Sequence, residues 1–232
     1  MEIILLLTFI VLGIISVSVG NNLKDRALLQ EVTNRNRGNP SERKLAFKLL
    51  KSGKSKHAVF HDLYVPKQNG GYSQIDLVLA TSVGIIVFEV KDYSGWIFGN
   101  AKHTQWTQVL AYGKTKYKFY NPIKQNQAHI NTLKGYLKLP KKIPFLSVIV
   151  FFGDCQLKEI NYIPADTFIT TSNRVLEVVH FIENNYLEAQ FNDKWEVVKL
   201  LNHAVNIGGD LNVQAKHKEQ VKNYLGKHRI YH

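Results

Sequence analysis

A chain of 232 residues, 45% of them apolar, is long and hydrophobic enough to bury a core, which excludes a disordered protein. Its formal net charge of +12, with an isoelectric point near 9.6, favours an anionic partner such as nucleic acid or acidic lipid, without choosing between them. The single cysteine, Cys155, forbids an internal disulfide and any thiolate cluster, and neither a phosphate loop nor a dinucleotide glycine fingerprint is present.

Residues 3–19 are almost wholly apolar, near the lower end of the roughly 17–25 needed to cross a bilayer. A signal peptide would want a basic start, yet Glu2 is the only charged side chain ahead of the run. Lys24, Arg26, Arg35, Arg37, Arg43 and Lys44 follow it. The positive-inside bias therefore predicts an anchor at residues 1–20, single-pass in the cell membrane, with the rest of the chain cytoplasmic. Residues 21–40 read as a juxtamembrane linker or short helix. Ser41 is expected to cap a helix over 41–51, with Leu45, Ala46, Leu49 and Leu50 on one face.

A strand is expected over 58–65. Two β-branched, apolar runs, 74–81 and 85–91, then flank Ser82-Val83-Gly84 and predict an antiparallel hairpin. Residues 92–120 read as a long insertion rich in glycine, aromatics and lysine. Pro122 opens a helix carrying Ile123, Ile130, Leu133 and Leu137. The apolar run 143–152 reads as a strand covered on both faces, with Cys155 beside it as a small buried hydrophobe. A short strand at 167–171 and helices over 173–184, 194–205 and 212–225 complete the pattern. The order predicts an α/β fold, a mixed sheet flanked by helices, with 41–150 as the core and 151–232 completing it.

Counting outward from the hairpin turn places Asp76 opposite the segment Glu89-Val90-Lys91. Glu89 and Lys91, two apart, project from the same face. Two carboxylates and an ammonium thus converge among Ile85, Ile86, Val87, Phe88 and Val90. Burying acids there is costly unless a cation compensates, and a hard divalent metal would do so. The plainer alternative is a strand-end cap for Asp76 and an ion pair between Glu89 and Lys91. For Glu42, spacing alone favours an acid placed in a first helical turn by the helix dipole.

Ser41-Glu42, Gln74-Ile75-Asp76, Glu89-Val90-Lys91, Ser94-Gly95-Trp96 and Asn121-Pro122-Ile123-Lys124-Gln125, in this order, resemble the nuclease-related domain (NERD) family. The likeness covers about residues 38–150, with Ser41 standing where the family usually has glycine. It implies a restriction-endonuclease-like PD-(D/E)XK nuclease core. It further implies that Asp76 and Glu89 bind Mg²⁺ (or Mn²⁺) with the Val90 carbonyl. On the same footing Lys91 would orient water or neutralise charge, Glu42 would add a ligand or hold a water, and Gln125 would position from its helix. His129, one turn beyond Gln125, is read as structural.

Tyr93, Trp96, Phe98, Trp106, Tyr112, Tyr117, Phe119 and Tyr120 interleave with Lys102, Lys114, Lys116 and Lys118. Such interleaving suits a nucleic-acid groove, with Trp96 and those four lysines as its contacts. Equally, the aromatics could be core and the lysines a solvated face. The expected function is a membrane-anchored, metal-dependent nuclease acting on nucleic acid, DNA foremost. The rivals are a catalytically weak nucleic-acid-binding module and a membrane scaffold whose basic surface faces lipid.

Overall fold

The computed structural model describes residues 23–68, 70–110, 113–139 and 143–227. The anchor expected at residues 1–20 lies outside these, as does Tyr112. No helix among the described residues is long and apolar enough to cross a membrane.

Residues 23–30 are helical (α1), and Leu28, Leu29 and Val32 rest on the core. Helix α2 (Pro40–Lys51) is capped by Asn39 and not by Ser41. The Asn39 side chain accepts from the N–H groups of Ser41 and Glu42, while the Glu42 carboxylate accepts from the Asn39 N–H, a reciprocal capping box. Pro40 explains the shift: proline suits the first helical position, which leaves Asn39 as the last extended residue.

The described strands, in chain order, are β1 (Val59–Pro66), β2 (Tyr72–Thr81), β3 (Gly84–Asp92), β4 (Gly95–Asn100), β5 (Gln105–Leu110), β6 (Thr115–Tyr120), β7 (Phe145–Phe152), β8 (Cys155–Asn161) and β9 (Thr167–Thr171). The remaining helices are α3 (Pro122–Leu137), α4 (Val175–Asn185), α5 (Lys194–Ile207) and α6 (Leu211–Lys227). The main sheet runs β1-β2-β3-β7-β9, antiparallel through β3 and parallel from β3 to β9. Strand β7 is buried at every position, as its continuous apolar sequence requires for a strand covered on both faces. Helices α2 and α4 cover one face through Leu45, Leu49, Val179 and Ile182. Helices α3 and α5 cover the other through Ile130, Leu133, Val197 and Leu201. Each such side chain contributes about 1.5–3 kcal/mol on leaving water. The fold is thus mixed α/β with helices on both faces, as the element order predicts.

Residues 92–120 are not an irregular insertion. They build β4, β5 and β6, which with β8 form a second sheet in the order β6-β5-β4-β8. Its inner face packs Ile97, Trp106 and Phe119 against Ile149 and Phe151 of β7. The Trp106 indole stacks on Phe151 with centroids 6.4 Å apart. Gly99 is needed here, because a Cβ at that position would stand 2.4 Å from the same indole. Cys155 is half-buried and not fully buried, because it opens the edge strand β8 at the rim of this sheet.

The main sheet carries one irregularity. In β1 and β2 the residues Val59, Leu77 and Leu79 face the α2 side, yet Leu63, Val65 and Ile75, at even offsets from them, face the α3 side. A regular strand keeps such residues on one face. The reversal falls at Asp62, whose φ of 55° is left-handed, and at Asp76, its counterpart across the β1–β2 pair. Arg37 donates through Nε to Asp62 Oδ2 at 2.6 Å and Gln74 donates to Asp62 Oδ1 at 2.8 Å, which hold the kink in place.

Candidate active site

The hairpin closes through a two-residue turn, Ser82-Val83, with Thr81 paired to Gly84. That register makes Asp76 the partner position of Glu89. The β2–β3 ladder, however, ends one pair earlier, at Leu77 and Phe88. Beyond it β2 stays paired only with β1, and β3 only with β7. The strands fork, and Asp76, Glu89 and Lys91 stand in the opening.

At the fork the Val90 N–H donates to Asp76 Oδ2 at 2.8 Å, so a side chain replaces the missing ladder bond. Glu89, 1% exposed, receives Lys91 Nζ on Oε1 at 2.6 Å. Lys91 Nζ also donates to Gln125 Oε1 at 3.0 Å. On the other oxygen, His129 Nε2 lies 3.3 Å away, outside hydrogen-bonding geometry, so Glu89 Oε2 is buried with no hydrogen-bond partner. The far nitrogen of His129, Nδ1, is 2.8 Å from Ser73 Oγ on β2. His129 therefore bridges the two arms of the fork.

Helix α3 brings in Gln125 and His129, and two buried asparagines set its position. Asn121 caps the helix, its Oδ1 accepting from the Ile123 and Lys124 N–H groups. Its Nδ2 donates to the carbonyls of Asn100, Ala101 and His103, fixing the end of β4 to the helix start. Asn126 donates to the Val87 carbonyl and to Ser147 Oγ. Gln125 and His129, four apart, then share the face turned to the fork.

From the opposite face α2 supplies Glu42. It is held by the capping box, with its Oε2 3.6 Å from His61 Nε2, a fully buried nitrogen that has no hydrogen-bond partner. Gly38, at φ 55°, gives these groups room: a Cβ there would meet both Glu42 Oε2 and His61.

The electrostatics reflect this crowding. Burial, then the negative charges of Glu89 and Glu42, push the Asp76 carboxyl well above its ordinary range, against the Val90 N–H and Lys91. Burial also opposes ionisation of Glu89, but Lys91 and His129 outweigh it and hold its pKa below the usual glutamate value. Burial works against a charged Lys91, and Glu89 with Asp76 overcomes it, keeping the ammonium protonated.

A divalent cation fits this set. It would offset the mutual repulsion that lifts Asp76 and would satisfy the orphaned Glu89 oxygen. Among the described residues no three His, Cys, Asp or Glu side chains gather closely enough to hold a metal alone. Such an ion would rest on Asp76 and Glu89, completed by main-chain and water oxygens, and Val90 supplies the nearest carbonyl by sequence.

The residues expected at the site thus separate. Asp76, Glu89, Lys91 and Gln125 come together, with Glu42 near enough to act on Asp76 through its charge. His129, read from sequence as structural, touches Glu89; its spacing of four from Gln125 was the available signal. His61 and Ser73 carried no such signal. The basic and aromatic residues divide as well. Trp106, Tyr93 and Phe119 belong to the core, whereas Lys102, Lys114, Lys116 and Lys118 are exposed and Trp96 is half-buried.

The family model of the nuclease-related domain (NERD) matches residues 37–152, half of the chain. An uncharacterized protein of Bacillus anthracis is 26% identical over 194 residues, which cover 82% of this chain and 86% of that protein. No solved structure matches the chain.

Proposed function

Since the chain belongs to the nuclease-related domain family, we propose that it is a metal-dependent nuclease that hydrolyses phosphodiester bonds of nucleic acid, DNA foremost. The observation that carries this reading is the fork itself. Asp76 and Glu89 face one another where the ladder stops, with the Lys91 ammonium 2.6 Å from Glu89. A structural ion pair would not need a second, repelling carboxylate beside it.

In this reading Asp76 and Glu89 hold Mg²⁺ or Mn²⁺ together with the Val90 carbonyl. When bound, the ion supplies Lewis-acid activation of the phosphate and of an attacking water. Lys91, fixed by Gln125, offsets the negative charge that builds on the phosphate oxygens. Gln125 thereby positions the ammonium, and His129, bonded to Ser73, sets its Nε2 3.3 Å from Glu89 Oε2. Glu42 adds charge to the metal side of the cluster or orders a water there.

The same reading places the domain at the cytoplasmic face of the cell membrane, tethered by residues 1–20, where Mg²⁺ and nucleic acid are both at hand. A reporter fused after His232 that is active only in the cytoplasm supports the tether, and a secreted chain beginning near Gly20 opposes it. The direct test of activity is incubation of the protein with labelled DNA and RNA in Mg²⁺, Mn²⁺ or chelator. Cleavage that needs the metal and Asp76 supports the proposal. No cleavage under any metal leaves the weaker alternative, a nucleic-acid-binding module, which the closed Lys91–Glu89 pair also fits.

A further inference from the structure

From Tyr93 to Gly153 the chain contains nine lysines and no aspartate or glutamate. The second sheet lies within this acid-free stretch, except for β8. Its inner face is accounted for by the core. Its outer face is not.

The register identifies the outer residues. Trp96 is paired with Val109, and Val109 with Lys116; Phe98 is paired with Thr107, and Thr107 with Lys118; Gln105 is paired with Tyr120. Directly opposed residues share a face. The outer face of β4, β5 and β6 thus presents Trp96, Phe98 and Tyr120 among Lys116 and Lys118. The bond from Lys118 Nζ to Thr107 Oγ1, 2.8 Å, confirms the shared side. From β8, Lys158 sets its ammonium 5.2 Å from the centre of the Trp96 ring. None of the outward positions on β4, β5 or β6 is acidic. A cleft of about 320 Å³ opens beside Trp96, lined also by Gly95, Val109, Gln156 and one acid, Asp154.

We infer that this outer face binds single-stranded nucleic acid, its bases stacking on Trp96, Phe98 and Tyr120 while Lys116, Lys118 and Lys158 meet the phosphates. The inference rests on the nuclease reading and names the substrate form that reading leaves open. A single strand is favoured by the flat apolar rings set between cations, Tyr120 exposed and Trp96 and Phe98 half-buried. Duplex bases are already stacked on one another and offer phosphates but no free ring faces, whereas a single strand offers both. An acidic lipid surface would satisfy the lysines but would leave ring stacking without a role. Position supports the same conclusion, since only Tyr93 and Ser94 separate the end of β3, which carries Lys91, from β4. A strand lying on this face therefore runs close to the fork.

The test is fluorescence anisotropy with the full chain in chelator, using labelled oligo-dT, oligo-U and a hairpin duplex. Cleavage is silent under these conditions, so binding is judged apart from catalysis. Oligo-dT or oligo-U should bind at least tenfold more tightly than the duplex. Trp96→Ala and Tyr120→Ala should each weaken single-strand binding roughly five- to hundredfold, the range for losing one stacked base. Lys116→Ala with Lys118→Ala should reduce the slope of log affinity on log salt by about 1.4. Circular dichroism of each variant confirms that the fold is kept. Duplex binding equal to or tighter than single-strand binding overturns the inference, even if duplex cleavage then upholds the nuclease reading. So does unchanged affinity in both folded ring variants, or capture by phosphatidylserine vesicles without capture by the strands. Single-strand binding that tracks the expected variants upholds the surface whether or not metal later gives cleavage.

Discussion

The Val90 N–H donates to Asp76 Oδ2 at 2.8 Å, immediately beyond the last backbone pair of β2 and β3. The contact has two consequences. It spares a strand N–H from being left unpaired in a low-dielectric opening, and it fixes the carboxylate with its other oxygen free. Asp76 is thus both a strand-end acceptor and one half of the acidic pair, and variants at this position should separate the two roles.

Asp76→Ala and Glu89→Ala should each abolish metal-dependent cleavage, with losses of at least about a hundredfold, because either change removes half of the carboxylate pair. Binding of nucleic acid in chelator should persist or rise, since a negative charge near phosphate is lost. Lys91→Ala should lower turnover by about 10²–10³ with less effect on metal affinity, as expected for a group that acts on developing charge. Wild-type cleavage by the purified Asp76→Ala protein would assign the activity elsewhere.

Asp76 also governs how metal-free stability depends on pH. Its folded carboxyl titrates well above the unfolded value, raised by burial and by the charges of Glu89 and Glu42. The stability tied to its protonated form is therefore full below the unfolded value of about 3.8 and is lost as pH rises through the folded one. Glu89 runs the other way: its contribution is present above its unfolded value and is lost as pH falls through its lowered folded value. In chelator, Asp76→Asn should be more stable than wild type at neutral pH, and the gap should shrink on acidification. Urea midpoints measured across pH check this; a gap that widens toward acid would contradict it.

His129→Ala should reduce activity by about 10–100-fold, the range for a group that orients a metal-binding side chain without binding the metal itself. His129 Nε2 packs 3.3 Å from Glu89 Oε2 while its Nδ1 lies 2.8 Å from Ser73 Oγ, so its loss opens space into which the carboxylate turns. Metal titration should show weaker apparent affinity, and His129→Gln, which keeps a polar side chain beside Glu89, should recover part of it. Unchanged metal affinity in the alanine variant would show that His129 only packs.

Asn121→Ala should cost about 3 kcal/mol of stability. The change removes a helix cap and also leaves the carbonyls of Ala101 and His103 without the side-chain donor they share, while that of Asn100 keeps the Trp106 indole N–H. Urea denaturation gives the value. Activity should fall more than stability alone explains, because Gln125 and His129 depend on where α3 starts.

Local features carried most of the fold. Counting outward from the Ser82-Val83-Gly84 turn made Asp76 legible as lying opposite the segment Glu89-Val90-Lys91, and the structure narrows this to Glu89, because the turn is the two residues Ser82-Val83 with Thr81 paired to Gly84. The continuous apolar run predicted β7, and Pro122 behind Asn121 predicted α3, because each signal lies within a few residues of what it determines. What the sequence could not set was anything that depends on a distant partner. Whether Trp106 was ligand platform or core turned on Phe151, 45 positions away, packing beneath it. The second sheet has no signal in the sequence because its short, polar-faced strands become regular only when β8 and the core cover one side. The left-handed Asp62, which reverses the alternation of β1, is sustained by Arg37 and Gln74, and no periodicity records it. His129 became part of the site only when α3 packed across β3, since a histidine's role is decided by its neighbours in space and helical spacing names only those on its own helix.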